Sequence, residues 1–560
     1  MFYMKEYKRW CDYANEDNLN EILVGMDKVQ IEDAFYKNLT FGTGGLRGII
    51  GAGTNRMNIY TVAKASQGLA NYLIKKYGAK ASVVIGYDSR LKSNVFAETT
   101  ASVFAANGIK VYIWSRLLPV SMVSYAVRYL KASAGVMITA SHNPSKYNGY
   151  KVYGADGCQI TTEIASIILE EIECLDLFFD VKKIDFQGAV SNEKISYIQE
   201  EVFESFIEQI KNQSVLYGEK VDKNVEIVYS PLNGTGLEPI TRVLEEMGYK
   251  NITIVKEQKL PDGNFPTCPY PNPEIKETLK LGLEYCQKTG ADLMLATDPD
   301  CDRVGIAVKA SCGEYHLLSG NEVGMLLLDY ICSQRKKYGT LPKNPLFIKT
   351  IVTIDMADRI ALDYGVKTIN VLTGFKFIGE QIGILESKGE EERYIFGFEE
   401  SYGYLTGSYV RDKDAVDATY MICEMFSYYK TRGISLLDKM KELYDKYGYC
   451  MNTLHSFEFE GSIGMKKMKE IMQIFHEKVV VGYTFADKKI EGIEDYSKGI
   501  YDLPKSEVLK YKLEGNCSIV VRPSGTEPKI KVYFSISAET KEKATMIEVR
   551  LLQELNKFFK

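Results

Sequence analysis

A serine and a histidine stand side by side where an apolar run gives way to a loop rich in Asn, Pro and Gly. The stretch GVMITASHNPSKYNGYK, residues 135–151, contains Ser141, His142 and Lys151. A strand that ends in such a loop places its last side chains at the carboxyl edge of a parallel sheet, where folds of this kind bind ligands. We therefore predict that Ser141 faces a cleft. A plain turn is the alternative, because Ser, Asn and Pro are all turn formers.

A hydrolase triad is poorly supported at this serine. Neighbouring side chains on an extended strand face opposite ways, so His142 is expected to point away from Ser141. No G-x-S-x-G elbow surrounds the serine either.

Three aspartates follow a second apolar run, in ATDPDCDRVGIAV. Asp298, Asp300 and Asp302 alternate with other residues, and Pro299 argues against a helix. In a loop, this spacing can bring three carboxylates onto one hard cation, which would complete its coordination with water or phosphate. An EF-hand is excluded because Arg303 stands where that loop requires Gly. The alternative is a solvated acidic turn.

A phosphate site is suggested by VRPSGTEPKIKVYF near the C-terminus. Its guanidinium, hydroxyls and glycine backbone suit a phosphate dianion. The residues are Arg522, Ser524, Gly525 and Thr526. A structural turn between two strands is the alternative.

Two further motifs are less specific. In FGFEESYGYL, Glu399 and Ser401 lie two positions apart, so we expect them to share one face of a strand and to suit sugar hydroxyls. Carboxylates at strand ends are common, which leaves a structural role open. The glycine-rich FGTGGLRG carries Arg47, but loops of this type recur in many proteins.

The elements that must position these residues follow a repeated rhythm. From Thr61 onward, helical stretches alternate with short β-rich runs, which predicts parallel sheets covered by helices. The rhythm restarts twice. After about Tyr447 the pattern changes to that of a smaller α+β domain, and residues 1–40 read as a helical lead-in with Trp10 packed on the first block.

Length and composition restrict the class of protein. A chain of 560 residues predicts three or four domains, and 45% hydrophobic with 26% charged residues is typical of a globular protein. The net charge of -5, without a dense Lys/Arg block, argues against nucleic acid as a partner. Neither a signal peptide nor a run of about 18 apolar residues is visible, so we expect neither export nor a membrane span.

The cysteines and histidines argue against a zinc site. The eleven Cys form no C-x-x-C pair and there are only four His. A reducing cytoplasm is the expected location.

Together the motifs resemble the α-D-phosphohexomutase superfamily, which contains the phosphoglucomutases and phosphomannomutases. They occur in the right order over nearly the whole chain: FGTGGLRG, TASHNPSKYNGYK, DPDCDR, GFEES and RPSGTEP. DGNFPTCPYPNPE and LTGFKFIGE are similar to the longer phosphoglucomutase branch.

The resemblance implies an α/β fold with four domains around a central cleft. Three similar α/β domains with mixed or parallel sheets would precede a C-terminal α+β domain of the TATA-box-binding-protein-like type. The expected boundaries are 1–40 for the helical lead-in, 41–195 for phosphoserine domain I, 196–313 for metal-binding domain II, 314–447 for sugar-binding domain III and 448–560 for phosphate-binding domain IV.

The resemblance also implies roles for the reacting residues. Ser141 would be the phosphoserine, and Asp298, Asp300 and Asp302 would hold Mg²⁺ against its phosphate. Lys151 would act as a general acid/base, helped by His142 or Arg47, and Arg303 would assist. Residues implied to bind substrate are Thr373, Gly374, Glu399, Ser401 and Lys413, with Arg522, Ser524, Gly525 and Thr526 on the phosphate that does not react.

The implied activity is the interconversion of glucose 1-phosphate and glucose 6-phosphate, with glucose 1,6-bisphosphate as intermediate and activator. Phosphomannomutase and phosphopentomutase activities on the same scaffold remain alternatives. A non-catalytic sugar-phosphate sensor would have little need of the complete Ser, Asp and Lys set. The expected partners are small sugar phosphates, with no nucleic acid or membrane, and the protein is expected to be a monomer or weak homodimer.

Two positions depart from the family pattern. Cys301 stands where Gly or Ala is usual, and we expect its side chain to point away from the metal while making the loop sensitive to oxidation. Phe398 precedes Glu399 where many relatives have Gly, which leaves the register of the sugar loop open.

Overall fold

The computed structural model describes residues 2–42, 44–459, 461–524 and 529–559. The chain divides into two compact units. The first unit contains Met1–Leu318, Ile378–Glu392 and Gly403–Tyr428, and the second contains Ser319–Phe377, Arg393–Tyr402 and Tyr429–Lys560.

The first unit begins with three lead-in helices: α1 (Phe2–Tyr13), α2 (Leu19–Val24) and α3 (Lys28–Phe35). Trp10 is fully buried, and its ring packs edge-on against Phe35, Tyr60 and Phe178. Tyr60 lies in the first helix of the following block, so the predicted packing of Trp10 on that block is confirmed.

The first block alternates helices and strands around a six-stranded sheet with the order β1-β5-β4-β2-β3-β6. Its elements are β1 (Gly45–Ile49), α4 (Ile59–Tyr77), β2 (Ser82–Tyr87), α5 (Ser93–Ala106), β3 (Lys110–Ile113), α6 (Val120–Tyr129), β4 (Ala134–Ile138), β5 (Tyr147–Gly154), α7 (Thr162–Glu173), α8 (Phe186–Ser191) and β6 (Ile195–Tyr197), with a 3₁₀ turn at Gly78–Lys80.

The sheet is mixed. β4, β2, β3 and β6 run parallel, whereas β5 runs antiparallel to both β4 and β1. A parallel crossover needs about a dozen residues or more, and the segment 139–146 between β4 and β5 is too short for one. The chain therefore turns back, so that the serine loop joins two adjacent strands.

A second block forms a five-stranded sheet with the order β11-β10-β9-β7-β8. Its elements are α9 (Glu200–Lys211), β7 (Ile227–Ser230), α10 (Leu237–Glu246), β8 (Ile252–Ile254), α11 (Lys256–Lys259), a 3₁₀ turn (Lys276–Leu279), α12 (Lys280–Thr289), β9 (Leu293–Thr297), β10 (Val304–Lys309) and β11 (Tyr315–Leu318). Every residue of β9 is buried, which is typical of a strand covered on both faces.

The chain then forms the third block. Its elements are α13 (Gly320–Lys337), β12 (Leu346–Thr350), α14 (Met356–Asp363), β13 (Lys367–Val371), α15 (Phe375–Glu386), a 3₁₀ turn (Glu391–Arg393), β14 (Tyr394–Glu399), β15 (Gly403–Leu405) and α16 (Ala415–Lys430). In the second unit, β12 lies between β13 and β14 and runs parallel to both. The predicted strand–helix rhythm is thus confirmed here too.

The C-terminal part carries an antiparallel six-stranded sheet with the order β16-β21-β20-β19-β18-β17. Its elements are α17 (Leu436–Tyr447), β16 (Tyr449–Glu458), α18 (Gly461–Lys478), β17 (Thr484–Phe485), β18 (Lys488–Asp495), 3₁₀ turns (Tyr496–Lys498 and Ile500–Asp502), β19 (Leu509–Leu513), β20 (Cys517–Pro523), β21 (Lys529–Ala538) and α19 (Lys541–Phe559). Helices α18 and α19 cover the core of this sheet with Phe475 and Leu555, which confirms the predicted α+β character.

No helix in the described part of the chain is both long enough and apolar enough to cross a lipid bilayer.

Candidate active site

The three aspartates occupy the loop between the antiparallel strands β9 and β10. Backbone contacts fix this loop. The amides of Val120 and Ala415 donate to the carbonyl oxygens of Asp300 and Cys301, at 3.0 and 3.2 Å. Gly234 permits a close approach, because a Cβ there would lie 2.5 Å from the Cα of Pro299.

The carboxylates converge, as their spacing predicts. Asp298, Asp300 and Asp302 are buried, and each offers an oxygen within 4.8 Å of the other two. One oxygen of Asp298 accepts the backbone amides of Asp302 and Arg303, at 3.1 and 3.0 Å. The loop backbone thus turns Asp298 inward, toward its two companions.

Two buried carboxylate oxygens of this cluster accept no hydrogen bond from the described residues. Oδ1 of Asp300 and Oδ1 of Asp302 are both inaccessible to solvent and accept no hydrogen bond among the described residues. Such groups are costly unless a cation or donor satisfies them. Burial raises the pKa of Asp298 well above its usual range, and the charges of Asp300 and Asp302 add to the increase. The donor set therefore fits a hard divalent cation, which would favour the ionised form of all three carboxylates.

Two lysines offset part of the acidic charge. Nζ of Lys151 lies 2.9 Å from Asp300 and 3.4 Å from Asp302, and Nζ of Lys413 lies 2.9 Å from Asp302. Burial would raise the pKa of Asp302, but the charges of Lys413, Lys151 and Arg303 together outweigh burial and lower that pKa. Burial alone would lower the pKa of Lys151, whereas Asp300 and Asp302 raise it above its usual value. Lys151 is therefore protonated at neutral pH.

Ser141 follows β4 and touches the aspartate cluster. Its Oγ donates to Asp298 at 3.0 Å and lies 3.1 Å from Nδ1 of His142. The serine has a φ of 52°, in the left-handed region that residues other than Gly and Asn seldom adopt. Strained backbone of this kind concentrates at functional sites, where the surrounding structure must hold it in place.

The expectation that His142 faces away from Ser141 is wrong. It assumed an extended strand, but β4 ends at Ile138 and the left-handed backbone at Ser141 breaks the alternation of side chains. Burial lowers the pKa of His142 well below its usual value, and the cations Arg303 and Arg47 lower it further. The imidazole is therefore neutral at pH 7.

Thr139 is a site residue that sequence reasoning missed. Its Oγ1 accepts the amide of Ser141 at 2.8 Å and donates to Oδ2 of Asp300 at 3.2 Å. It thereby links the serine loop to the aspartate loop. The available signal was its hydroxyl at the end of an apolar strand, two positions before Ser141.

The two arginines predicted to assist the reaction lie at the margin of this cluster. Arg47 lies on β1 and donates to the Asn143 side chain in the serine loop at 3.2 Å. Arg303 forms an ion pair with Glu274, and its Nε lies 3.7 Å from Asp302. The first unit therefore brings together the predicted Ser141, His142, Lys151, Arg47 and Arg303 around the three aspartates.

Cys301 also has a positive φ, 55°, which explains why Gly would suit this slot. The side chain is fully buried and packs toward Gly236, where an added Cβ would lie 2.9 Å from Sγ. Burial raises the pKa of the thiol well above its usual value. Because the thiolate is the reactive form, these features oppose the oxidation sensitivity that the sequence suggested.

In the second unit, the predicted sugar-binding residues only partly come together. Oε1 of Glu399 accepts the amide of Gly374 at 3.0 Å, which joins the Thr373–Gly374 turn to the end of β14. Ser401 does not share a strand face with Glu399, because β14 ends at Glu399 and Ser401 lies in the turn that follows. The expectation of a shared face is therefore wrong.

The predicted phosphate loop begins at the end of β20. Arg522 lies on β20 opposite Lys531 of β21, and the amide of Ser524 donates to the carbonyl of Lys529 at 2.7 Å. Gly525 and Thr526 lie outside the described residues. Burial raises the pKa of Tyr533 to about 12; Glu400 contributes to the increase and a hydrogen bond from Arg522 opposes it. Arg522 and Glu400 thus act on one tyrosine.

Comparison with protein families gives four matches in chain order. The family models for phosphoglucomutase/phosphomannomutase alpha/beta/alpha domains I, II and III match residues 38–177, 204–313 and 319–447, respectively. The family model for the phosphoglucomutase/phosphomannomutase C-terminal domain matches residues 481–552.

Individual relatives agree. The chain is 36% identical to a phosphoglucomutase of Staphylococcus saprophyticus over 548 residues, which is 96% of this chain and 97% of the relative. It is 35% identical to a phosphoglucomutase of Staphylococcus aureus strain USA300 over 544 residues, with 94% and 95% covered. The solved open form of parafusin, a phosphoglucomutase from Paramecium, shares the fold with a TM-score of 0.70 at 16% identity, covering 94% of this chain and 96% of that one.

Proposed function

The chain belongs to the α-D-phosphohexomutase superfamily and is a phosphohexomutase of the isomerase class; from this we propose that it interconverts glucose 1-phosphate and glucose 6-phosphate. The observation that carries the proposal is the contact of Oγ of Ser141 with Asp298, inside a cluster of three buried carboxylates and two lysines. Such a cluster is suited to a phosphoryl group, whose transfer depends on positioning and charge neutralisation.

Ser141 is proposed to carry the phosphoryl group. The phosphoryl group would be attached to the Oγ atom of Ser141, which is an unmodified hydroxyl in this structure. The neutral ring of His142, 3.1 Å from Oγ, can accept the serine proton in a hydrogen bond when the group returns. Thr139 holds the serine amide and so orients the attacking oxygen.

Asp298, Asp300 and Asp302 are proposed to hold Mg²⁺. The buried Oδ1 atoms of Asp300 and Asp302, which accept no hydrogen bond among the described residues, and the hard carboxylate chemistry of all three support this choice. When bound, the cation supplies neutralisation of the negative charge on the transferring phosphoryl group.

Lys151 is proposed to be the proton donor and acceptor for the sugar hydroxyl. It is protonated beside Asp300, so it first gives a proton to a departing sugar oxygen; the neutral amine left by that transfer can then accept the proton of a sugar hydroxyl. Lys413 would keep Asp302 ionised through its ion pair. Arg47 and Arg303 add positive charge around the same group.

The second unit contains the residues proposed to bind the part of the substrate that does not react. Glu399, tied to Gly374, would accept hydrogen bonds from sugar hydroxyls, with Thr373 and Ser401 beside it. Arg522, with Ser524, Gly525 and Thr526, would hold the phosphate that does not react, by forked charge-assisted bonds. A glucose 1,6-bisphosphate intermediate would then turn around and return its other phosphate to Ser141.

The domain limits, location and assembly given by the sequence remain proposals. The eleven cysteines, all within the described residues, form no disulfide, which supports a reducing cytoplasm. We propose a monomer or weak homodimer that acts on small sugar phosphates.

Substrate choice is tested by coupled assays of glucose, mannose and ribose 1-phosphates at equal concentration. We expect kcat/KM for glucose 1-phosphate to exceed the others by at least about tenfold, because a site built to hydrogen-bond one pattern of hydroxyls leaves polar groups unpaired with another. Equal or faster turnover of mannose 1-phosphate would favour the phosphomannomutase alternative. Binding of sugar phosphate without any turnover would favour the sensor.

Arg522→Ala should weaken binding of glucose 6-phosphate by roughly ten- to a hundredfold, because a charge-assisted contact of this kind contributes about 1.5–3 kcal/mol. Weaker binding of the non-reacting phosphate should also make turnover more dependent on added glucose 1,6-bisphosphate, since the bound intermediate dissociates more often. Isothermal calorimetry and a bisphosphate titration of the rate measure the two effects. Arg550→Ala is the matched control, because Arg550 pairs with Asp487 on the surface of the same sheet domain. Wild-type affinity and no added bisphosphate demand would show that the loop is only a turn.

A further inference from the structure

Arg90 gathers the backbone of the serine loop around one guanidinium. It lies between β2 and α5 and is only 3% exposed. Its Nη1 donates to the carbonyl oxygens of Pro144 and Tyr147, at 3.0 and 3.1 Å, and its Nη2 donates to those of Ser141 and Asn143. One planar cation thus binds four carbonyl groups, which lie close enough only if the loop is folded back on itself.

Asp88 balances and orients this guanidinium. Oδ2 of Asp88 lies 3.5 Å from Nε of Arg90, while Oδ1 accepts the amide of Arg90 at 3.0 Å and the hydroxyl of Ser93 at 2.8 Å. Both partners of this ion pair are buried. The terminal nitrogens of Arg90 therefore point to the carbonyls and away from Asp88.

The DGNF motif of the second block covers the other side of Arg90. The ring of Phe265 lies 5.1 Å from Cζ of Arg90, within the range of a cation–π contact. Gly263 packs on the backbone of residues 89–91, since a Cβ there would lie 2.4 Å from the amide nitrogen of Leu91. This contact explains why the motif needs a glycine at that position. The motif thus acts as a buttress for a residue of the first block.

We propose that Arg90 is the positioning residue that holds Ser141 in its left-handed conformation, with Phe265 as the buttress. The proposal rests on the proposed role of Ser141 as phosphoryl carrier. A backbone with φ of 52° at a serine is intrinsically disfavoured, so something must hold it, and the carbonyl of Ser141 is itself bound by Arg90. Both terminal nitrogens of Arg90 are committed to carbonyl groups. Arg90 therefore acts through the loop and does not contact the transferring group.

The first test needs no activity. Hydrogen exchange of the amides in a peptide covering residues 139–149 should become at least about tenfold faster in Arg90→Ala, because the folded loop loses its central donor. The control is Arg116→Ala: Arg116 forms a forked ion pair with Glu200 at 2.8 Å in the same unit, and its other hydrogen bonds go to Glu238, outside residues 139–149. Exchange in the rest of the chain shows whether the variant is folded. Unchanged exchange in that peptide would overturn the proposal.

The second test separates positioning from general destabilisation. In the folded fraction, Arg90→Ala should lower kcat for glucose 1-phosphate by about a hundredfold, the loss expected from a displacement of about 1 Å at the reacting atom, while KM stays within about threefold. Added guanidinium at millimolar concentration should restore part of kcat, whereas sodium chloride at equal ionic strength should not. Arg90→Lys should retain an intermediate rate, because one ammonium cannot serve four carbonyls in a fork. Phe265→Leu should also be intermediate.

The outcomes are distinguishable. Activity that falls only in proportion to the unfolded fraction, without rescue by guanidinium, would show a purely structural role and overturn the proposal. If the wild type transferred no phosphate to or from glucose phosphates, the proposed function would fail. Faster exchange in the serine loop of Arg90→Ala would still support Arg90 as the group that positions this loop.

Discussion

Ser141→Ala is expected to abolish mutase turnover, with kcat lower by on the order of 10⁵-fold, because the proposed covalent carrier is lost and no other group replaces it. The fold should survive. Alanine is strained at a φ of 52° much as serine is, and the loop keeps its bonds to Arg90. Intact-protein mass spectrometry should show one phosphate on the active wild type and none on the variant.

Ser145→Ala is the matched control for this prediction. Ser145 lies in the same loop, four positions after Ser141, and is half-buried. It should retain wild-type turnover and phosphate content. Turnover of the wild type that persists after verified dephosphorylation, without added bisphosphate, would contradict the carrier role of Ser141.

Removal of divalent cations with EDTA should stop turnover, and added Mg²⁺ should restore it. Asp300→Asn should raise the Mg²⁺ concentration needed for half-maximal rate by at least about tenfold, since even changes outside the ligand set cost metal sites ten- to a hundredfold. The amide keeps the shape of the carboxylate but loses the charge that offsets dehydration of the cation. Mg²⁺ titration of the rate, together with calorimetric binding of Mg²⁺ alone, measures the change.

Asp292→Asn controls for loss of an acidic residue. Asp292 precedes β9 and accepts the amide of Glu226 at 3.0 Å, outside the cluster. Its Mg²⁺ requirement should equal that of the wild type. Equal rates in EDTA and in Mg²⁺ would show that the three aspartates have a structural role only.

Motifs at strand ends were the part of the site that the sequence could predict. An apolar run followed by Ser141, and another followed by Asp298, implied two loops at sheet edges, and their side chains do meet at 3.0 Å. Each loop could be placed at a sheet edge because ligands bind beyond the carboxyl ends of strands in α/β folds. The two strands belong to different sheets, so the meeting of the loops depends on packing between the first two blocks, which the motifs do not indicate.

Backbone geometry was the part that the sequence could not predict. The contact of His142 with Ser141 depends on one left-handed residue, and no side-chain type marks that conformation when it is imposed by neighbours. The role of Arg90 could not be predicted from the sequence for a related reason. Its partners are four carbonyl groups, which every residue has, so no pattern of side chains indicates them.

The path of the chain through the first unit has a consequence for its synthesis. Lys413, which forms an ion pair with Asp302, belongs to the segment Gly403–Tyr428 that returns to this unit after the chain has left it at Leu318. At about 5–20 residues per second, a ribosome needs on the order of ten seconds to cover that interval. During this time the aspartate loop is complete in sequence but lacks one of its two lysines. Until Lys413 emerges from the exit tunnel, a nascent chain would therefore contain the three aspartates without this counter-charge.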